Sequence, residues 1–362
     1  MMEPIRNGRL YPSVWVIVLL LIAVGMGCRK APRESAIEQY GGIKIVFQRD
    51  CQWLEDNGRK EMASALARFD KIDAVYAHND PQAHGAFVAA RAEGRGREKT
   101  IKFIGIDALP HEGITYVKRG ILTATYYYPT GGKEAIDIGM KILRGEEVPK
   151  WITLGTRLFT GENVHKGGLA ILAKGPKRLE LEPDPPKPSK KLAEGKKVLI
   201  GMSQCNLAEP WRVQMNDDIG EQAKKYPQIK MLWKDAQNDE RVQQSQVREF
   251  LTQGIDLLIV SPKETVPLTA PVKEVYHAGI PVIVLDREIQ GESFTCFIGG
   301  DNVLIGREAG KYLASILNGK GKVVELQGLM TSEPGVDRHE GFIEGLKEYA
   351  QEHKATEEGS GT

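Results

Sequence analysis

Five polar residues fall where short apolar runs stop: Asn79, Asp107, Ser261, Asp286 and Arg287. An arginine donates from a rigid fork, a carboxylate accepts at two oxygens, and an amide does both. Such groups can read hydrogen-bonding positions on a small ligand. Proton transfer suits them less well. Asp107 and Asp286 are the carboxylates available for an acid–base pair, yet arginine neighbours favour both being ionised over splitting their pKa values. His78, beside Asn79 and Asp80, has no nucleophile placed with it. The phosphate-cradling GxxxxGK[ST], the G-x-S-x-G elbow and HExxH are all missing. The reading is binding without catalysis.

The elements that must position these residues alternate. Strands are expected at 43–47, 74–77, 101–106, 198–202, 257–260, 282–285 and 323–326, and helices at 57–69, 81–93, 305–317 and 338–349. Runs apolar throughout suit strands covered on both faces, hence an α/β fold of parallel sheets flanked by helices. Ligands of such sheets sit beyond the carboxyl ends of the strands, where these polar residues lie. A chain of 362 residues, 41% hydrophobic and 27% charged, has room for two ordinary domains. Its net charge of +1 gives no general attraction to nucleic acid.

Two segments stand outside the alternation. Arg6 and Arg9 precede an apolar run at 14–24, then Gly25, Gly27 and Cys28. Spanning a bilayer takes about twenty residues, so this is the layout of an export signal at 1–28, or of an uncleaved anchoring helix. The stretch 167–196, rich in Pro, Lys and Glu, reads as a solvated linker. Cys51, Cys205 and Cys296 have no close spacing and suit isolated thiols, with one pair left open; no metal site or cofactor is expected.

Several fragments then carry a resemblance. "VLIGMSQCNLAEPWR", "QSQVREFLTQGIDLLIVSP", "AGIPVIVLDREI" and "KVVELQG" with "DRHEGF" look like the first half of a periplasmic sugar-binding protein of the ribose and galactofuranose type. "VYAHNDPQAHGAF", "IKFIGIDALP" and "GILTATYYYPTGGKEAIDIGMKIL" resemble the second half, yet precede the first in the chain. The Trp-Arg pair and "VVELQG" are most similar to the galactofuranose type. The resemblance implies two Rossmann-like lobes joined by a three-strand hinge, the type I periplasmic binding fold, in circularly permuted order. One lobe would hold residues 43–128, 151–164 and 301–349; the other would hold 129–150 and 197–300. Crossings are expected near 300–302, 127–129 and 151–152. Residues 167–196 would join the native ends. About 30 residues reach roughly 100 Å extended and average roughly 30 Å as a coil, enough for a lobe about 30–40 Å across. A truncated piece of a tandem receptor and a lobe-swapped pair of chains stay open as alternatives.

By the same resemblance the ligand is a monosaccharide, a pentose or hexose, whose apolar ring faces need aromatic walls and whose hydroxyls need charged partners. Trp211, after Pro210 in a polar loop, and Trp53 would be the walls. Asp286 and Arg287 from one lobe, and Arg338, Asn79 and Asp107 from the other, would read the hydroxyls. Tyr127 would contribute at a crossing, with Arg212, Glu209 and Ser261, and Lys263 beside it, as further candidates. Cys28 resembles a lipidated lipoprotein cysteine, though Gly25 stands where Leu is usual. The expected partners are the permease of an ABC importer and the membrane through the lipid anchor, at the periplasm or cell surface. A receptor domain that signals to a membrane kinase is the competing reading. The same fold also serves lactose-repressor-type regulators, but the chain offers an export signal in place of a DNA-reading module.

Overall fold

The computed structural model describes residues 37–171 and 196–359. The expected export segment, Cys28 and most of the linker lie outside the described residues. No described helix is long and apolar enough to cross a membrane.

Two sheets organise the chain. In spatial order the first holds β1 (Glu38–Tyr40), β2 (Gly42–Asp50), β14 (Lys320–Gln327), β3 (Ala74–Ala77), β4 (Lys102–Asp107), β5 (Ala124–Tyr127), β7 (Thr156–Thr160) and β8 (Leu169–Ile171). Its centre is parallel, and its margins β1–β2, β5–β7 and β7–β8 are antiparallel. The second is parallel throughout: β10 (Ile229–Asp235), β9 (Val198–Gln204), β11 (Leu257–Ser261), β12 (Val282–Leu285), β13 (Cys296–Gly300) and β6 (Trp151–Leu154). Every residue of β3, β11 and β12 is buried, as strands covered on both faces require.

Helices α1 (Glu55–Arg68), α2 (Asp80–Ala92), α3 (Gly113–Lys118), α8 (Asn302–Ile316) and α9 (Glu333–Gly359) belong with the first sheet. Helices α4 (Gly132–Leu143), α5 (Pro210–Ala223), α6 (Glu240–Thr252) and α7 (Thr265–His277) belong with the second. Strands and helices from the front and back of the chain are thus interleaved in both lobes.

The structure corrects the expected placing of residues 151–154. They form β6, which pairs with β13 in the second sheet, and the chain crosses to β7 at Gly155 rather than at 151–152. The cause is packing. Trp151 meets the Phe294 ring edge-on at 4.9 Å and lies 5.3 Å from Phe297, both in the second lobe. The segment expected as linker begins later than 167, because Leu169–Ile171 pairs with β7. Strand β10, no residue of which is fully buried, was not among the expected strands.

Candidate functional site

The carboxyl ends of both sheets converge on a narrow cavity. It is lined by Trp53, Asn79, Asp107, Pro334 and Arg338 from the first lobe, by Glu209, Trp211, Arg212, Asp286 and Arg287 from the second, and by Tyr128 at a crossing. These side chains are buried, with Arg212 and Arg287 each only 2% exposed. Of the expected site residues, nine meet here.

Local geometry fixes each wall. The Asn79 side chain caps α2, accepting from the Gln82 amide at 3.0 Å, while its Nδ2 donates to the Trp53 carbonyl at 2.9 Å. Trp53 is held in a turn with φ 67°, a conformation unusual for a bulky residue. Gly328 leaves it room, since a Cβ there would lie 2.3 Å from the indole ring. Across the cavity, the Trp211 indole N–H donates to the Tyr128 carbonyl at 2.9 Å.

The charged groups form a network. Asp286 accepts from the Tyr128 hydroxyl at 2.9 Å and pairs with Arg212 Nη2 at 2.7 Å, with Arg287 Nε at 3.8 Å. Arg212 also donates to Ser261 Oγ at 2.6 Å, and Arg287 to the Lys263 carbonyl at 2.8 Å. Asn206 holds Glu209 at 2.8 Å. Arg338 donates to Asn302 Oδ1 at 2.9 Å and to the His78 carbonyl at 2.5 Å, lying over Trp53 at 5.1 Å and Tyr128 at 4.5 Å. Burial pushes the Asp107 carboxyl well above its usual range; Arg338 pulls against that, and Asp80, Glu112 and Glu209 reinforce it. The buried Nε–H groups of Arg212 and Arg287 and the Trp53 indole N–H have no hydrogen-bond partner in the protein. Donors so buried are costly to leave unpaired, so they suit a ligand rich in acceptors.

Three expected residues stand elsewhere. Tyr127 is 37% exposed and lines a separate groove with Leu109, Ile114 and Phe159; Tyr128 takes the cavity position. Successive side chains of an extended strand point to opposite faces, and the Tyr127 carbonyl is tied to Thr156 Oγ1 at 2.5 Å. Three consecutive tyrosines gave the sequence no means of choosing between them. Ser261 is fully buried behind the wall, where it anchors Arg212. Lys263 contributes its carbonyl, and its ammonium pairs with Glu240 and Glu264. Pro334 carried no signal in the sequence.

A family model described as a periplasmic binding protein domain matches residues 27–147 and 200–361. The chain belongs to that family. Its two-lobed α/β architecture is that of the type I periplasmic binding proteins. Among curated relatives, the ribose import binding protein of Bacillus subtilis is 31% identical over 161 residues, 44% of this chain and 52% of that protein. The galactofuranose-binding protein of Escherichia coli K12 is 32% identical over 154 residues, 41% of this chain and 48% of that one. The chain thus spans about half the length of the curated relatives it matches. Among solved structures, a fructose-binding periplasmic domain of a hybrid two-component system is 42% identical, with a TM-score of 0.41, over 42% of this chain and 50% of that one. A galactofuranose-binding protein is 31% identical, with a TM-score of 0.40, over 42% and 52% of the two chains.

Proposed function

We propose that the chain is an exported receptor that closes its two lobes on one monosaccharide and hands it to an ABC importer. The observation that carries this reading is a cavity at the carboxyl ends of both sheets, lined from both lobes by buried charged and aromatic residues drawn from both ends of the chain. Three guanidiniums, of Arg212, Arg287 and Arg338, face the carboxyl groups of Asp107, Glu209 and Asp286, so the lining offers both donors and acceptors, as a polyhydroxylated ligand needs. Trp53 and Trp211 supply aromatic faces for the ring, and the unpaired donors await its hydroxyl oxygens. The ligand stabilises the closed form because only there do both lobes reach it. Ribose- and galactofuranose-binding relatives support both the sugar class and a receptor that performs no catalysis.

The same reading makes the chain a single, circularly permuted receptor, with 167–196 bridging the native ends. Helix α9 runs back to the strand that opens the front half: a Cβ on Gly41 would lie 3.2 Å from that of Ala350. Collinear alignment takes only one half of a permuted chain, in keeping with the half-length matches. Export and lipidation at Cys28 complete the proposal and place the receptor outside the cytoplasm.

Titration calorimetry of a monodisperse monomer against a panel of aldoses and ketoses, including furanose forms, tests the proposal. One sugar bound per chain is expected; a folded monomer that binds none refutes it. Transport and sensing share this ligand chemistry, and the captured membrane partner, permease or kinase, separates them.

A further inference from the structure

Asp80 stands outside the cavity, yet its fully buried carboxylate is joined to the loop that carries Asp107. Oδ2 accepts from the Ala108 amide at 2.7 Å, and Oδ1 accepts from Thr125 Oγ1 on β5 at 2.7 Å. The loop it grips is conformationally costly. Asp107 has φ 118° and Ala108 φ 52°, two successive non-glycine residues in the positive-φ region. Such residues persist where their surroundings over-determine them. The space around the carboxylate is reserved for it: a Cβ on Gly105 would come within 2.2 Å of Oδ1, and one on Gly113 within 1.9 Å of Oδ2. Neighbouring Asn79 does the corresponding task for the other unusual turn, donating to the Trp53 carbonyl. The dipeptide Asn79–Asp80 therefore grips, with adjacent side chains, the two positive-φ turns of the first lobe that present cavity residues.

We propose that Asp80 is a positioning residue that sets the ligand-binding geometry of Asp107 through the Ala108 amide without touching the sugar. This rests on the sugar-receptor reading for its consequence in affinity, but not for its consequence in the loop. The bond from the Ala108 amide fixes the backbone beside Asp107, and displacing Asp107 forfeits its hydrogen bonds to hydroxyls.

Two measurements test it. In the sugar-free protein, Asp80→Ala should speed amide hydrogen exchange across residues 105–109 by about tenfold or more, leaving 257–261 in the other lobe unchanged. In calorimetry, Asp80→Ala should weaken sugar binding by about tenfold or more, yet by no more than about twofold on an Asp107→Ala background. Asp80→Asn should restore binding to within about threefold, since its amide oxygen can take the Ala108 N–H while its NH₂ donates to the rotatable Thr125 hydroxyl. Should Asp80→Ala fail to fold, Thr125→Val, which releases the other oxygen, should accelerate exchange of the same segment. Unchanged exchange at 105–109 overturns the proposal whether or not any sugar binds. So do equal affinity losses on both backgrounds, or an Asn variant as impaired as the Ala variant. A wild-type protein that binds no sugar refutes the receptor function alone, and the exchange result still decides the role of Asp80.

Discussion

Replacing Tyr128 by Phe removes one oxygen and keeps the ring. The ring lies 4.5 Å beneath the Arg338 guanidinium and 5.3 Å from the Trp211 ring, so stacking at the crossing is preserved. What is lost is the hydroxyl that donates to Asp286 Oδ1 at 2.9 Å and accepts from Asn302 Nδ2 at 3.3 Å. Asp286 is 4% exposed, so water cannot readily replace that donor. A hydrogen bond to a charged group contributes about 1.5–3 kcal/mol, and about 1.4 kcal/mol is tenfold in affinity. If the bond tightens on closure, the sugar dissociation constant should rise by roughly 10- to 150-fold. Part of a bond already formed in the open state will instead be lost from unfolding stability. Calorimetry and chemical denaturation, run on the same preparation, measure the two shares. Tyr127→Phe is the control, because the 37% exposed Tyr127 lines a different groove and its tie to Thr156 uses the backbone carbonyl. It should change neither quantity measurably. A large affinity loss in Tyr127→Phe with none in Tyr128→Phe would refute the assignment of the crossing residue.

Gly328→Ala places a Cβ 2.3 Å from the Trp53 indole; overpacking costs about 1–3 kcal/mol, so binding should weaken about tenfold with a modest fall in melting temperature, and unchanged affinity would remove Trp53 from the wall. Ser261→Ala takes away a partner of Arg212 at 2.6 Å; a loss of about 1 kcal/mol, a several-fold weaker affinity by calorimetry, is expected. Burial, reinforced by Glu288 and Asp337, pushes the Glu333 carboxyl from 4.5 to about 10, so the folded state retains a proton that the unfolded chain releases. That contribution is fully present below pH 4.5 and is lost as pH rises towards 10; denaturation midpoints should decline across this window, and Glu333→Gln should flatten the decline. Glu325 behaves oppositely: burial alone would raise it, but hydrogen bonds from His339 and His78 outweigh that and hold it at about 2. Its contribution is present above pH 4.5 and lost as pH falls towards 2, so Glu325→Gln should flatten the acid limb of a stability profile.

The strands were legible because full burial leaves a continuous apolar run, as in Val282–Leu285. Strand β10 escaped for the converse reason: at the sheet margin none of IKMLWKD is fully buried, and its apolar run is only Met231–Trp233, interrupted on both sides by lysines. Chain order also hides proximity. Arg338 and His78 lie 260 positions apart and meet at 2.5 Å; the resemblance to a two-lobed receptor grouped Arg338 with Asn79, the neighbour of His78, but not with His78 itself. What the sequence could not convey was the division of labour among carboxylates. Asp286 and Asp107 both end strands and looked interchangeable as hydroxyl acceptors. In the structure Asp286 already serves Tyr128 and Arg212, whereas Asp107 rides on a positive-φ turn gripped by Asp80. On the sugar-receptor proposal both can accept from hydroxyls, Asp286 held through its own side chain and Asp107 through the backbone that Asp80 ties, a buried residue lying just ahead of the helix expected at 81–93.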